Sequence, residues 1–221
     1  MKYTRILLSS ALLATSLQLA QAATITVAGD VIGGGQLAGT TFTIGFFGNS
    51  NGFNNFPTGE PPAAAIDGNA GTKYLNFAEL NTGYIVTPTV GLSNVTGITF
   101  TTANDFSERD PMTFSLYGST SQVATAFSGA TFDLTNFTAI TLNQTTNLLA
   151  GPGNTNSVTF SNTGDFTTYL LVFPTVRDSG AADIMQIGDA LLTGEAIPEP
   201  SSFALLGLGA LGLLARRRRN A

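Results

Sequence analysis

The sequence predicts an all-β fold, a two-sheet sandwich of the jelly-roll type, flanked by an N-terminal signal helix and a short C-terminal membrane helix. Three observations predict it. Apolar and polar residues alternate with period two in several short runs, segments rich in Gly, Asn and Pro separate those runs, and no internal stretch keeps a helical period for about twelve residues.

The first element is an export signal. Lys2 and Arg5 make a basic tip, residues 6–19 are apolar with small polar breaks, and Ala20-Gln21-Ala22 is a small-x-small cleavage triplet, so Ala22 ends the signal segment 1–22 and Ala23 begins the mature chain. Within the body, Thr24-Ile25-Thr26-Val27 and Phe42-Thr43-Ile44 alternate. Ile98 and Phe100 share one face of segment 95–101, and residues 112–117 and Val158-Thr159-Phe160 repeat the pattern. Tyr169-Leu170-Leu171-Val172-Phe173 is apolar without a break, as befits a central strand covered on both faces. Gly33-Gly34-Gly35, residues 49–62, Gly151-Pro152-Gly153-Asn154 and Asn162-Thr163-Gly164 carry turn chemistry. Residues 23–195 thus make one domain, with no repeat of solenoid length.

The last element is the tail, residues 196–221. Pro198-Glu199-Pro200 precedes Ser201 and Ser202, an uncharged apolar run from Phe203 to Ala215, and the cluster Arg216, Arg217, Arg218 and Arg219. A helix over residues 201–215 extends roughly 22 Å at ~1.5 Å per residue, short of a ~30 Å hydrocarbon core. Such a helix still anchors in a membrane when its arginines snorkel or the bilayer thins, and the arginines place its end on the cytoplasmic side. Gly207, Gly209 and Gly212 spell a dinucleotide fingerprint, but no βαβ unit follows, so the match is textual. The tail closely resembles the PEP-CTERM sorting signal of exosortase-processed bacterial proteins. The resemblance implies an exported protein, held in the inner membrane by this helix until an exosortase-like enzyme processes it near Pro198, Glu199 and Pro200, and then sited at the cell surface or in the extracellular matrix.

Composition excludes several chemistries. The 221 residues include no Cys, His or Trp, which removes imidazole-dependent triads, Cys/His zinc sites and disulfides. Between Ala23 and Ile197, Lys73, Arg109 and Arg177 stand against thirteen carboxylates, a net charge of −10, which repels nucleic acid. Those carboxylates serve solubility, or a few of them hold a cation. Some pair among thirteen falls at glycosidase spacing by chance, so an enzyme requires a cleft and a desolvated acid besides; the expectation is a non-catalytic protein.

The stretch from Ala65 to Phe77, Ala-Ile-Asp-Gly-Asn-Ala-Gly-Thr-Lys-Tyr-Leu-Asn-Phe, is the richest in candidate chemistry. Asp67, Gly68 and Asn69 read as a tight turn in which a carboxylate, carbonyls and the Thr72 hydroxyl converge. Either a hard cation sits there or the turn closes on itself as an Asx-turn. Asp105, Glu108, Arg109 and Asp110 make the densest charged patch, with Asp105 and Arg109 as candidate ligand-binding residues; the alternative is a loop held by a local ion pair. Phe46, Phe47, Phe53 and Phe56 lie among Gly and Asn, either exposed to a ligand or buried to close one end of the fold.

The Asp67-Gly68-Asn69 stretch with Thr72, Lys73 and Tyr74 resembles a segment of galactose-binding-like jelly rolls, the discoidin or F5/8 type C and carbohydrate-binding modules. Residues 98–119 and 169–194 agree with that family in the same order. The resemblance implies a structural calcium held by Asp67, the carbonyl of Asn69, Thr72 and Asp189, with Asp189 standing where the family usually has Glu. It implies a binding module whose partner is an extracellular polysaccharide or a surface protein. The alternative is a structural or adhesive matrix protein that uses exposed strands and Thr/Asn-rich faces.

Overall fold

A computed structural model describes residues 22–48 and 55–198. The signal segment up to residue 21, Phe53, Glu199, Pro200, the anchor run from Phe203 to Ala215 and Arg216 to Arg219 lie outside the described residues. Alternating side chains sort the rest into strands. They begin with β1 (Ala23–Thr24), β2 (Val31–Ala38) and β3 (Thr41–Ile44); after a 3-10 turn at Pro62–Ile66 come β4 (Tyr74–Asn76), β5 (Thr82–Thr87) and β6 (Ser93–Thr101). A second 3-10 turn, Ser107–Arg109, leads to β7 (Pro111–Ser119) and β8 (Thr131–Asp133), and a third, Leu134–Asn136, to β9 (Thr138–Thr145). The last strands are β10 (Thr155–Thr159), β11 (Thr168–Val176), β12 (Met185–Ile187) and β13 (Asp189–Ala196).

The strands pair antiparallel into a four-stranded sheet, β1-β13-β6-β10, a seven-stranded sheet, β8-β3-β2-β5-β11-β7-β9, and a small ladder of β12 with β4. The two large sheets pack face to face. Val95, Ile98 and Phe100 of β6 and Ala190 and Leu192 of β13 meet Tyr84, Phe114, Leu116, Tyr169, Leu171 and Phe173 of the larger sheet. Phe100 spans the gap, its ring 5.0 Å from Phe114 and 6.3 Å from Phe173 between centroids. Two buried hydroxyls stitch the layers: Tyr84 donates to the carbonyl of Ala190 and Tyr169 to that of Ser93. Burial raises the pKa of both phenols, that of Tyr169 to about 12, so both remain donors at any ordinary pH.

The larger sheet is covered on its other face too. Leu170 and Val172 point away from the main core and join Phe42, Ile44, Ile85, Ala124 and Phe132 in a second buried cluster. This explains the unbroken apolar run Tyr169 to Phe173 of β11, since each side chain of that run meets one core or the other.

Two elements differ from expectation. Gly33-Gly34-Gly35 is not a turn but the middle of β2, buried and paired with β5. Its glycines serve close approach rather than unusual dihedrals: a Cβ on Gly34 would sit 2.4 Å from the Tyr74 hydroxyl and 2.5 Å from Pro62. The alternating run at 24–27 is paired only at Ala23–Thr24, after which Ile25 still donates its N–H to Leu192. The early aromatics divide: Phe56 is buried against Phe47 and Tyr74, whereas Phe46 and Phe47 are 53% and 56% exposed.

Candidate functional site

One end of the sandwich is built from three segments: the loop before β4, the loop between β6 and β7, and the approach to β13. The 3-10 turn at Pro62–Ile66 delivers Asp67 as its C-terminal cap, and Gly68 follows at φ +69°, a left-handed conformation that glycine adopts freely. Asp67 then organises the loop. Its Oδ1 accepts the Asn69 N–H at 2.9 Å and its Oδ2 accepts the Thr72 hydroxyl at 2.8 Å. The Asn69 carbonyl lies 2.9 Å from the same hydroxyl and accepts the Thr72 N–H. Asp189, the first residue of β13, accepts the Gly68 N–H at 2.9 Å. The loop of Asp67 and the last strand, far apart in sequence, are therefore directly joined.

The local charge is unbalanced. Burial above all, with the Asp67 charge adding to it, raises the pKa of Asp189, and the Gly68 N–H offsets this only in part. The domain's basic residues are committed elsewhere, Lys73 to Asp105 and Glu60, Arg109 towards Asp183, and Arg177 towards Asp110. The donors Asp67, Asn69, Thr72 and Asp189 offer only oxygen, which suits a hard cation. Among the described residues no group of three or more His, Cys, Asp or Glu side chains is placed to hold a metal. A cation in this loop must therefore draw most of its ligands from neutral oxygens.

Beside this loop lies the charged patch. Its ions do not pair locally but reach across to other segments. Lys73, itself buried, sets its Nζ 2.6 Å from Asp105 Oδ1 and 3.2 Å from the Gln186 amide oxygen, and Gln186 in turn donates to the carbonyls of Asp105 and Phe106. These bonds fix the backbone at Phe106, which adopts φ +39°, a strained value for an aromatic residue. Phe106 is 54% exposed, with the Arg109 guanidinium stacked 4.2 Å from the centroid of its ring. Asp183 stands 3.9 Å from Arg109 Nη2, and Arg109 Nε is buried without a hydrogen-bond partner.

Behind the patch, Asp110 is fully buried with Arg177 Nη2 3.6 Å away, and neither carboxylate oxygen has a hydrogen-bond partner. Desolvation pushes its pKa up to about 7 against the lowering effect of Arg177. With no exposed oxygen it cannot touch a substrate.

The structure thus brings Asp67, Asn69, Thr72 and Asp189 together and sets Asp105 and Arg109 on the same end. Of the processing residues, Ala22 and Ala23 stand exposed at the start of the described chain and Pro198 at its end. Sequence reasoning passed over Phe106, Gln186 and Asp183. An aromatic inside a run of charged residues was a readable signal for Phe106; nothing local marks Gln186 or Asp183, which reach the patch only through the fold.

Comparison with known proteins adds one decisive match. Residues 196–219 match the PEP-CTERM protein-sorting motif. The chain therefore carries the signal of an exported protein sorted to the cell surface. The PEP-CTERM motif begins where β13 ends and covers none of the sheet residues before it. No curated protein matches the chain. Among solved structures, it is similar to the family 32 CBM from C. perfringens NanJ in complex with galactose, at 12% identity and TM-score 0.48, over 78% of this chain and 99% of that one. It is also similar to CBM62 from Clostridium thermocellum Xyl5A, at 18% identity and TM-score 0.46, over 72% and 96% of the two chains. Among the described residues no helix is long and apolar enough to cross a membrane.

Proposed function

We propose that the β-sandwich is an exported, non-catalytic glycan-binding module, with the ligand seated on Phe106 and Arg109 at the loop end. The observation that carries this reading is the exposed Phe106 backed by the Arg109 guanidinium, whose Nη2 has an ionic neighbour only at 3.9 Å, in Asp183. The ring offers an apolar face to a sugar, and the guanidinium offers paired donors to hydroxyls or a carboxylate. Asp105 acts through Lys73, holding the loop, rather than as a direct contact. Calcium, held by Asp67, Thr72, Asp189 and the Asn69 carbonyl, would neutralise the two facing carboxylates and stiffen the rim without taking part in chemistry. The tail directs the protein to an exosortase-like enzyme, anchors it in the inner membrane through residues 201–215 and is processed near Pro198, Glu199 and Pro200, leaving the sandwich in the extracellular polysaccharide.

A glycan array and a pull-down with the producing cell's own exopolysaccharide test the reading. Binding is expected, weakened at least about tenfold by Phe106→Ala or Arg109→Ala with melting unchanged. Absence of binding favours a purely structural matrix protein, and binding indifferent to both changes places the glycan away from Phe106 and Arg109. Calorimetry tests the cation separately: calcium uptake is expected and is lost in Asp67→Ala, and no uptake by the unaltered protein refutes the site.

A further inference from the structure

Strand β10 is the open edge of the four-stranded sheet, and its free side can be assigned residue by residue. Asn154 accepts the N–H of Thr102 on β6's side, and Phe160 donates its own N–H to Thr96. Antiparallel ladders alternate, so Asn156 and Val158 between them also bond β6, in register with Phe100 and Ile98. The N–H and C=O groups of Thr155, Ser157 and Thr159 therefore point outward, where no strand pairs with them among the described residues. All three residues are exposed.

This edge lacks the usual protection. β10 holds no Pro, no charge and no register shift, the devices that keep sheet edges from pairing. The gap in charge is wide: no charged residue occurs between Asp133 and Asp165, a span that contains both β9 and β10 and the exposed Leu142 and Leu149. β9, by contrast, is broken by register shifts and by Asn143 at φ +50°, which blunt it as a template.

We propose that β10 is the interface for a second copy of this chain, pairing antiparallel about a two-fold axis at Ser157 and joining two four-stranded sheets into one continuous sheet. Charge selects the occupant. Carboxylates dominate the rest of the domain, so two copies repel wherever those surfaces face, and the charge-free edge is where they meet without that cost. The strand is also self-complementary. Ser157 faces the partner's Ser157, and Thr155 faces the partner's Thr159, so every outward backbone group finds a mate and hydroxyl residues lie opposite hydroxyl residues. This pairing is independent of any glycan.

The test uses the protein purified as the producing cell leaves it, by sedimentation velocity and amide hydrogen exchange. A concentration-dependent dimer is expected, with the amides of Thr155, Ser157 and Thr159 gaining protection as it forms. Ser157→Pro removes an N–H that β6 does not use and should weaken the dimer at least about tenfold with melting unchanged. Should that variant fail to fold, Ser157→Lys, which keeps the N–H and sets like charges opposite each other, should weaken it equally. A monomer at all concentrations overturns the proposal, as does a dimer that survives these changes or one abolished by Thr141→Lys on β9. Exchange protection that appears only when exopolysaccharide is added also overturns it, naming glycan instead of protein as the occupant.

Discussion

Asp110 shows how one residue can carry an energetic signature. Its carboxylate is buried without a hydrogen bond and its pKa is raised to about 7 from 3.8. The folded state therefore holds a proton that the unfolded chain releases near pH 4, and stability from this group falls as pH rises from about 4 to 7. Asp110→Asn, which cannot ionise, should flatten that dependence and stabilise the protein by about 1–3 kcal/mol at pH 8, read from melting at a series of pH values. Arg177 moderates the gain, because it keeps its bonds to the carbonyls of Ser107 and Leu148 but loses its ionic neighbour. On the opposite side of the site, Asp189 faces Asp67 with no basic residue between them. If calcium binds there, a hundredfold excess over its dissociation constant adds about 2.7 kcal/mol. Thermal shift with and without chelator measures it, and Asp67→Ala should remove it.

At the scale of elements, the glycine run of β2 supplies the sharpest expectation. Gly34 lies against the Tyr74 hydroxyl, which is locked by Asn76 and by the carbonyl of Gly83. Gly34→Ala should cost about 2–3 kcal/mol in urea unfolding, because the tyrosine has nowhere to go. The same run shows where sequence reading stops. Three adjacent glycines are turn chemistry by any local rule, and only pairing with β5 and β3, with the Tyr74 ring from forty residues away pressed on Gly34, makes them a strand. The central strand β11 was legible because an unbroken apolar run has few other uses. β5 and β9 were not picked out: β5 is short and interrupted by glycine, while β9 is an exposed edge where no apolar face needs to repeat. The Asp67 turn was legible from its own residues, but its tie to Asp189 came only from resemblance, since no local pattern announces a partner at that distance. The charged patch was seen, yet its pairing was not, because Lys73, Arg177 and Asp183 arrive from three other segments.

For the whole molecule, the position of β13 matters most. It lies inside its sheet, between β1 and β6, and supplies Ala190 and Leu192 to the main core and Asp189 to the loop end. A chain ending at Gly188 leaves β1 without a neighbour and exposes the inner face of the larger sheet, so it should show no cooperative melting transition by circular dichroism. A chain ending at Ile197 keeps every strand and should melt as the longer one does. The first strand of the fold is paired to the last, Ala23 opposite Gly194. Assembly is therefore finished by the residues synthesised just ahead of the sorting segment. Until they emerge the first strand has no neighbour and the shell stays open; once they arrive, the fold locks within a few residues of the address label.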